Sequence, residues 1–239
     1  FYNFCINKQN EYKMQNETIA VHGCYNKKEG YGSMSVPIAQ TTAYAFRDSE
    51  HAANLFALKE LGPIYTRLNN PTTDVLEQRF AQLEGGAAAL CVSSGQTAIF
   101  YAIANVASAG DNILISDKLY GGAVTLLTHT IKRFGIEAKI FRSADASNLE
   151  EQIDDKTKAI FFESLSNPQI AVADVEKIVE VGQKHGVLTI CDNTVATAAL
   201  FNPIKWGVDV VVHSTSKYTN GQGTVIGGII VERDGLSEF

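Results

Sequence analysis

The chain has 239 residues, 45% of them hydrophobic and 19% charged, with a formal net charge of −6. That is the make-up of a globular α/β-sized domain with apolar residues enough for one large core. The acidic balance without a basic run excludes nucleic acid as an expected partner, and the lack of an apolar run near the roughly 20 residues that span a bilayer excludes a membrane helix.

Residues 1–13 are polar and irregular, Met14 follows, and nothing there has the order of a signal peptide; they read as a non-native or disordered leader. Residues 14–70 show little periodicity and are rich in Gly, Pro, Thr and Tyr, as in an extended arm that packs on another surface. Asp74-x-x-Glu77 resembles a capping box. Leu76, Phe80 and Leu83 fall at helical spacing, and Gly85-Gly86 ends that helix. Residues 87–92 read as a short buried strand, and residues 93–97 lead into an apolar helix over about 98–106. A strand over 112–116 follows the turn at Gly110-Asp111. Leu119-Tyr120-Gly121-Gly122 opens a helix to about Phe134. Strands are expected over 137–141 and 159–163, the second ending in Ser164-Leu-Ser-Asn-Pro168. Val175, Ile178, Val179 and Gly182 mark one face of a helix. Apolar runs over 187–191, 208–212 and 225–231 complete the series. Strands alternating with helices indicate a mostly parallel sheet with helices on both faces.

The four cysteines, Cys5, Cys24, Cys91 and Cys191, have no C-x-x-C spacing, which suits reduced thiols in a cytoplasmic protein. His22, His51, His129, His185 and His213 have no metal-ligand spacing and read as satisfied surface or core side chains. No metal site is expected.

The chemistry concentrates after the last strands. Asp192 ends one apolar run, and Lys217 follows another within His213-Ser-Thr-Ser-Lys-Tyr218. In an open α/β sheet, groups at the carboxyl ends of strands converge on the ligand crevice. A lysine amine, a carboxylate and hydroxyls meeting there suit pyridoxal phosphate (PLP): a Schiff-base amine, a partner for the pyridine nitrogen, and phosphate ligands. Taken singly, each has an ordinary explanation. Lys217 reads as a solvated rim residue, Asp-Asn-Thr as a cap or turn, and Ser94-Gly95-Gln96 as a simple turn. Ser94-Gly95-Gln96 also stands between a strand and a helix, where backbone N–H groups bind phosphate. Tyr120 reads either as a core aromatic or as a ring stacked on a flat cofactor, and Arg67 either as solvated or as a bidentate phosphate ligand. No P-loop occurs, and Gly221-x-Gly223 precedes a strand, so a nicotinamide dehydrogenase is disfavoured.

Taken in order, Tyr65-Thr-Arg-Leu-Asn-Asn-Pro-Thr72, Ser94-Gly-Gln-Thr-Ala98, Leu119-Tyr-Gly-Gly122, Glu163-Ser-Leu-Ser-Asn-Pro168, Asp192-Asn-Thr194 and His213-Ser-Thr-Ser-Lys-Tyr218 resemble the Cys/Met-metabolism PLP enzymes of fold type I. Leu58 to Arg67, and Gln96 in place of the Met frequent in lyases, are most similar to the O-acetylhomoserine sulfhydrylase branch. The resemblance implies that Lys217 carries PLP as a Schiff base and that Asp192 pairs with the pyridine nitrogen. It implies that Tyr120 stacks on the ring and that Gly95, Gln96, Ser214 and Ser216 hold the phosphate. Tyr65 and Arg67 would reach the phosphate of a neighbouring subunit, Asn167 would lie near the cofactor oxygen and the substrate carboxylate, and Glu163 would shape the pocket. Lys217, Tyr120 and Asp192 would be catalytic.

The implied reaction is γ-replacement, O-acetylhomoserine plus sulfide or a thiol giving homocysteine or methionine and acetate. The alternatives are a methionine γ-lyase or cystathionine enzyme, and a non-catalytic scaffold that keeps the fold. The implied assembly is a dimer of dimers with shared sites. Residues 14–70 would be the arm and 71–239 the PLP-binding large domain. The family's small C-terminal domain, with the arginine that grips the substrate carboxylate, would lie beyond Phe239.

Overall fold

The computed structural model describes residues 14–28 and 30–236; the leader expected over 1–13 lies outside them. The chain divides into two units, Phe1–Gln82 and Leu83–Phe239.

In the first unit, the segment expected to be an irregular arm holds two short helices, α1 (Asn16–His22) and α2 (Ser49–Phe56). Each is barely two turns long, too short for a 3.6-residue period to repeat visibly in the sequence. Asp48 caps α2 by accepting from the His51 N–H at 2.7 Å. Arg79 donates to the carbonyls of Ala20 and Gly23 at the end of α1, satisfying groups that a helix C-terminus leaves open.

The helix α3 (Pro71–Glu84) starts three residues before the capping box expected at Asp74. Its start is set by Asn70, whose side chain accepts from the Thr72 N–H at 2.9 Å, and by Pro71, which has no N–H to satisfy. Asp74 lies inside the helix, its N–H donated to the Asn70 carbonyl. Leu76, expected on the buried face, is exposed, whereas Phe80 is buried.

The second unit is built on a seven-stranded sheet: β1 (Ala88–Val92), β2 (Asn112–Ser116), β3 (Glu137–Phe141), β4 (Thr157–Glu163), β5 (Leu188–Asp192), β6 (Val210–His213) and β7 (Gly228–Glu232). The spatial order is β1-β7-β6-β5-β4-β2-β3. Only β7 runs antiparallel to its neighbours, β1 and β6; β2 to β6 pair in parallel. The carboxyl ends of six strands therefore share one edge of the sheet.

One face is covered by α4 (Gly95–Val106) and α5 (Gly121–Thr125), the latter continuing as a π turn and a 3-10 turn to Phe134. Ala98, Ile99, Ile103 and Leu127 pack there with Ile113, Ile115, Phe161, Ile190 and Val212. The opposite face carries α6 (Val175–His185), whose Gly182 lies close to Thr189. The apolar face read from the sequence is the one buried, including Ile178 and Val179. β1 departs from expectation, since Leu90 is half exposed because β1 is an edge strand. Among the described residues, no helix is long and apolar enough to cross a membrane.

Candidate active site

The site is assembled at the shared carboxyl edge. Glu163 ends β4 and Asp192 ends β5, and the two are directly paired in register. Their parity with Phe161 and Ile190 puts both on the face that α4 and α5 cover.

Glu163 is buried and accepts from the Tyr120 N–H at 2.6 Å and the Asn167 N–H at 3.0 Å. These bonds favour the carboxylate, but burial outweighs them and the nearby Asp192 charge adds to it, so the Glu163 carboxyl is pushed up to about 7. Glu163 thereby ties together the loops after β2 and β4.

Burial also pushes the Asp192 carboxyl up from the usual aspartate range, opposed by Thr194 and by the positive charge of His213. Thr194, two residues on, donates its hydroxyl to Asp192 Oδ1 at 2.5 Å and its N–H to the same oxygen at 2.9 Å. The same hydroxyl accepts from the Ser214 N–H at 2.8 Å, linking β5 to the loop after β6. Thr194 lies in a segment the sequence singles out, but only this bridge reveals its task.

The loop after β1 closes against the loop after β6. A Cβ on Gly95 would lie 2.6 Å from Ser214 Cβ and 2.9 Å from its Cα, so only glycine allows this approach. Ser94 caps α4 by accepting from the Thr97 N–H at 3.1 Å. The N–H groups of Gly95 and Gln96 come before the first intrahelical bonds of α4 and suit an anion. Gln96 reaches the loop after β2, since a Cβ on Gly122 would lie 3.3 Å from Gln96 Nε2 and 2.6 Å from the Tyr120 ring. The Tyr120 ring is half exposed.

Lys217 is exposed on the turn after β6; its N–H donates to the Ser214 carbonyl and its own carbonyl accepts from the Gly221 N–H. Ser216 is part-buried and its hydroxyl exchanges hydrogen bonds with the backbone of Gly227. These contacts join Gly95, Gln96, Tyr120, Glu163, Asn167, Asp192 and Ser214 in one constellation, with Ser216 and Lys217 on the loop that Ser214 begins. Tyr65 and Arg67 belong to the first unit, where the guanidinium sits 5.6 Å over the tyrosine ring. A groove of about 1260 Å³ lies elsewhere. It lies by the amino ends of β4, β5 and β6, with Leu90, Tyr101 and Leu236 among its lining, and holds none of these residues.

The donor set fits PLP. An amine, a carboxylate, an exposed aromatic ring and a glycine-opened helix N-terminus beside serine hydroxyls are the groups that a flat, phosphorylated aldehyde with a basic ring nitrogen requires.

A family model described as Cys/Met metabolism PLP-dependent enzyme matches residues 17–238. The chain is 46% identical over 216 residues to an O-acetyl-L-homoserine sulfhydrylase of Leptospira meyeri, covering 90% of this chain and 49% of that protein. It is 47% identical over 201 residues to a homocysteine/cysteine synthase of Saccharomyces cerevisiae, covering 84% and 45%. Among solved structures, a Campylobacter jejuni protein assigned as an O-acetylhomoserine (thiol)-lyase superposes with a TM-score of 0.91 at 56% identity, over 93% of this chain and 55% of that one; it carries N'-pyridoxyl-lysine-5'-monophosphate. A cystathionine gamma-lyase of Lactobacillus plantarum gives a TM-score of 0.84 at 33% identity, over 92% and 55%. The chain spans about half the length of the curated relatives it matches.

Proposed function

We propose, proceeding from the fact that this chain belongs to the Cys/Met metabolism family of PLP-dependent enzymes, that it binds PLP and serves γ-replacement on O-acetylhomoserine. Acetate leaves the γ carbon and sulfide or a thiol takes its place, giving homocysteine or methionine. The observation that carries the reading is the Glu163–Asp192 pair at the ends of β4 and β5, joined through Tyr120 and Thr194 to the loops that bear Gln96, Ser214 and Lys217. The names of the sulfhydrylase relatives support the choice of substrate over the lyase alternatives.

When bound, PLP supplies an electron sink for charge developing on substrate carbons. Lys217 would tether it and afterwards move protons at the substrate α and β carbons, a task that needs an amine within hydrogen-bond reach of both. Asp192 would hold a proton on the ring nitrogen: opposite charges about 4 Å apart at an effective dielectric of about 20 gain about 4 kcal/mol, or about three pKa units. The Gly95 and Gln96 N–H groups, with the Ser214 and Ser216 hydroxyls, would bind the phosphate. Tyr120 would lie against the ring. Glu163 would orient Tyr120 and Asn167 through the two backbone bonds it accepts, Asn167 standing near the cofactor oxygen and substrate carboxylate. We place Tyr65 and Arg67 at the phosphate of a neighbouring subunit in a dimer of dimers, with residues 14–70 as the connecting arm and the cytoplasm as the compartment. The exposed Tyr31, Met34, Ile38 and Leu58 of that arm support a covering partner.

The test is borohydride reduction of the PLP-treated protein, followed by peptide mapping. A yellow colour that is lost on reduction, with the added mass on Lys217, is expected, and Lys217→Ala must abolish it. Homocysteine formed from O-acetylhomoserine and sulfide by the same protein supports the substrate; ketobutyrate and ammonia without thiol would replace the reading by a γ-lyase.

A further inference from the structure

Beneath the ends of β5 and β6 lies a set of buried polar side chains that the proposed chemistry does not use. Glu84, 0% exposed at the end of α3, accepts through Oε1 from His213 Nε2 at 2.6 Å and from Asn193 Nδ2 at 3.3 Å. Asn193 also accepts from the Ser164 hydroxyl at 2.7 Å and donates to the Phe201 carbonyl at 2.9 Å. Burying a carboxylate against an imidazole costs free energy that packing alone does not return, because an apolar pair of like volume is commonly at least as stable. A polar network at this depth therefore calls for an electrostatic or positional reason.

Two covalently short routes run from it to Asp192. His213 precedes Ser214, whose N–H binds the Thr194 hydroxyl, which in turn binds Asp192 Oδ1. Asn193 follows Asp192 in the chain, and the Ser164 N–H donates to the Asp192 carbonyl at 3.1 Å.

We propose that Glu84 and His213 are positioning residues for this site, a buried hydrogen-bonded pair that favours Asp192 as a carboxylate and holds it against Thr194. The proposal rests on the reading of Asp192 as the partner of the cofactor's ring nitrogen. Among the described residues, the titratable groups around Asp192 include Glu163 on β4, its neighbour Cys191 on β5, His213 on β6 and, hydrogen-bonded to His213, Glu84 on α3. Burial disfavours the charged form of Asp192, and His213 supplies the positive charge that opposes it. Glu84 holds that imidazole through the 2.6 Å hydrogen bond to Nε2.

The experiment follows the Asp192 side-chain carboxyl by carbon NMR in cofactor-free, aspartate-labelled protein, assigned with Asp192→Asn. In Glu84→Gln, which keeps the shape and removes the charge, the Asp192 midpoint is expected to rise by about one unit, a tenfold change in proton affinity. The remote Asp145 and Asp154 should not move. His213→Gln, which keeps a donor to Glu84 but has no titrating ring, should give the same rise and is the variant to read if Glu84→Gln does not fold. In the cofactor-loaded variants the visible spectrum should change with pH where that of the wild type stays constant. An unchanged or lowered Asp192 midpoint in a folded variant overturns the proposal, and so does failure of both variants to fold, which would make the pair a packing element. Failure of the PLP reading looks different: wild-type protein takes up no cofactor while Asp192 still responds to Glu84→Gln.

Discussion

Glu163 governs one part of the pH dependence expected of the folded chain. Its carboxyl titrates at about 7 when folded against an ordinary 4.5. Below 4.5 it is protonated in both states; between the two values only the folded chain holds the proton. Stability is therefore fully present below 4.5 and falls as pH rises towards 7, by about 3 kcal/mol for a shift of this size. Glu163→Gln should flatten that window in cofactor-free protein, while losing one of two backbone bonds at a cost of about 1 kcal/mol. Urea midpoints measured across the window check this, and equal slopes in both proteins would refute it. The buried Cys191 thiol, pushed well up by burial, should stay unreactive to alkylation at neutral pH unless the chain unfolds.

At the scale of elements, two contacts decide how the layers approach. A Cβ on Gly182 of α6 would lie 2.7 Å from the Thr189 methyl and 2.9 Å from the Val187 carbonyl oxygen. Gly182→Ala should destabilise by about 1–3 kcal/mol through overpacking, even though alanine favours an isolated helix by about 1 kcal/mol. A denaturant midpoint at or above wild type would show that α6 can move away at no cost. On the other face, Ser94→Ala removes the acceptor for the Thr97 N–H and should cost about 1 kcal/mol. Gly95→Ala should weaken PLP uptake more than it lowers stability, because the new methyl meets Ser214 where the phosphate would sit; equal PLP affinity in equilibrium titration would contradict this.

For the whole molecule, the proposed shared-site assembly makes a prediction that no single-chain property imitates. Arg67→Ala and Lys217→Ala should each be inactive alone. Mixed and re-associated, they should regain activity, because a hybrid contains one site with the Lys217 of one chain and the Arg67 of the other. If mixtures stay inactive although hybrids form, Arg67 does not serve a neighbour's site.

Much of this molecule is written locally. The strand over 112–116 matches β2 residue for residue, the 137–141 run matches β3, and the face of Val175, Ile178, Val179 and Gly182 is buried in α6, because a run of apolar residues with the right period has few ways to be buried. Lys217, Asp192 and Tyr120 were legible as candidates because loops after parallel strands must share one edge. The start of α3 was misread, since Asn70-Pro71 outcompetes Asp74 as a helix start, and α1 and α2 were hidden by their brevity. Pairing across the sheet was beyond local reading altogether. The sequence determined by itself which segments become strands and which residues stand as candidates at their carboxyl ends. The tertiary structure alone decided that Glu163 stands beside Asp192, that Thr194 bridges to Ser214, and that Glu84 meets His213 across 129 residues. Such contacts follow from strand order and from the burial of several chain segments at once, and no local spacing encodes either.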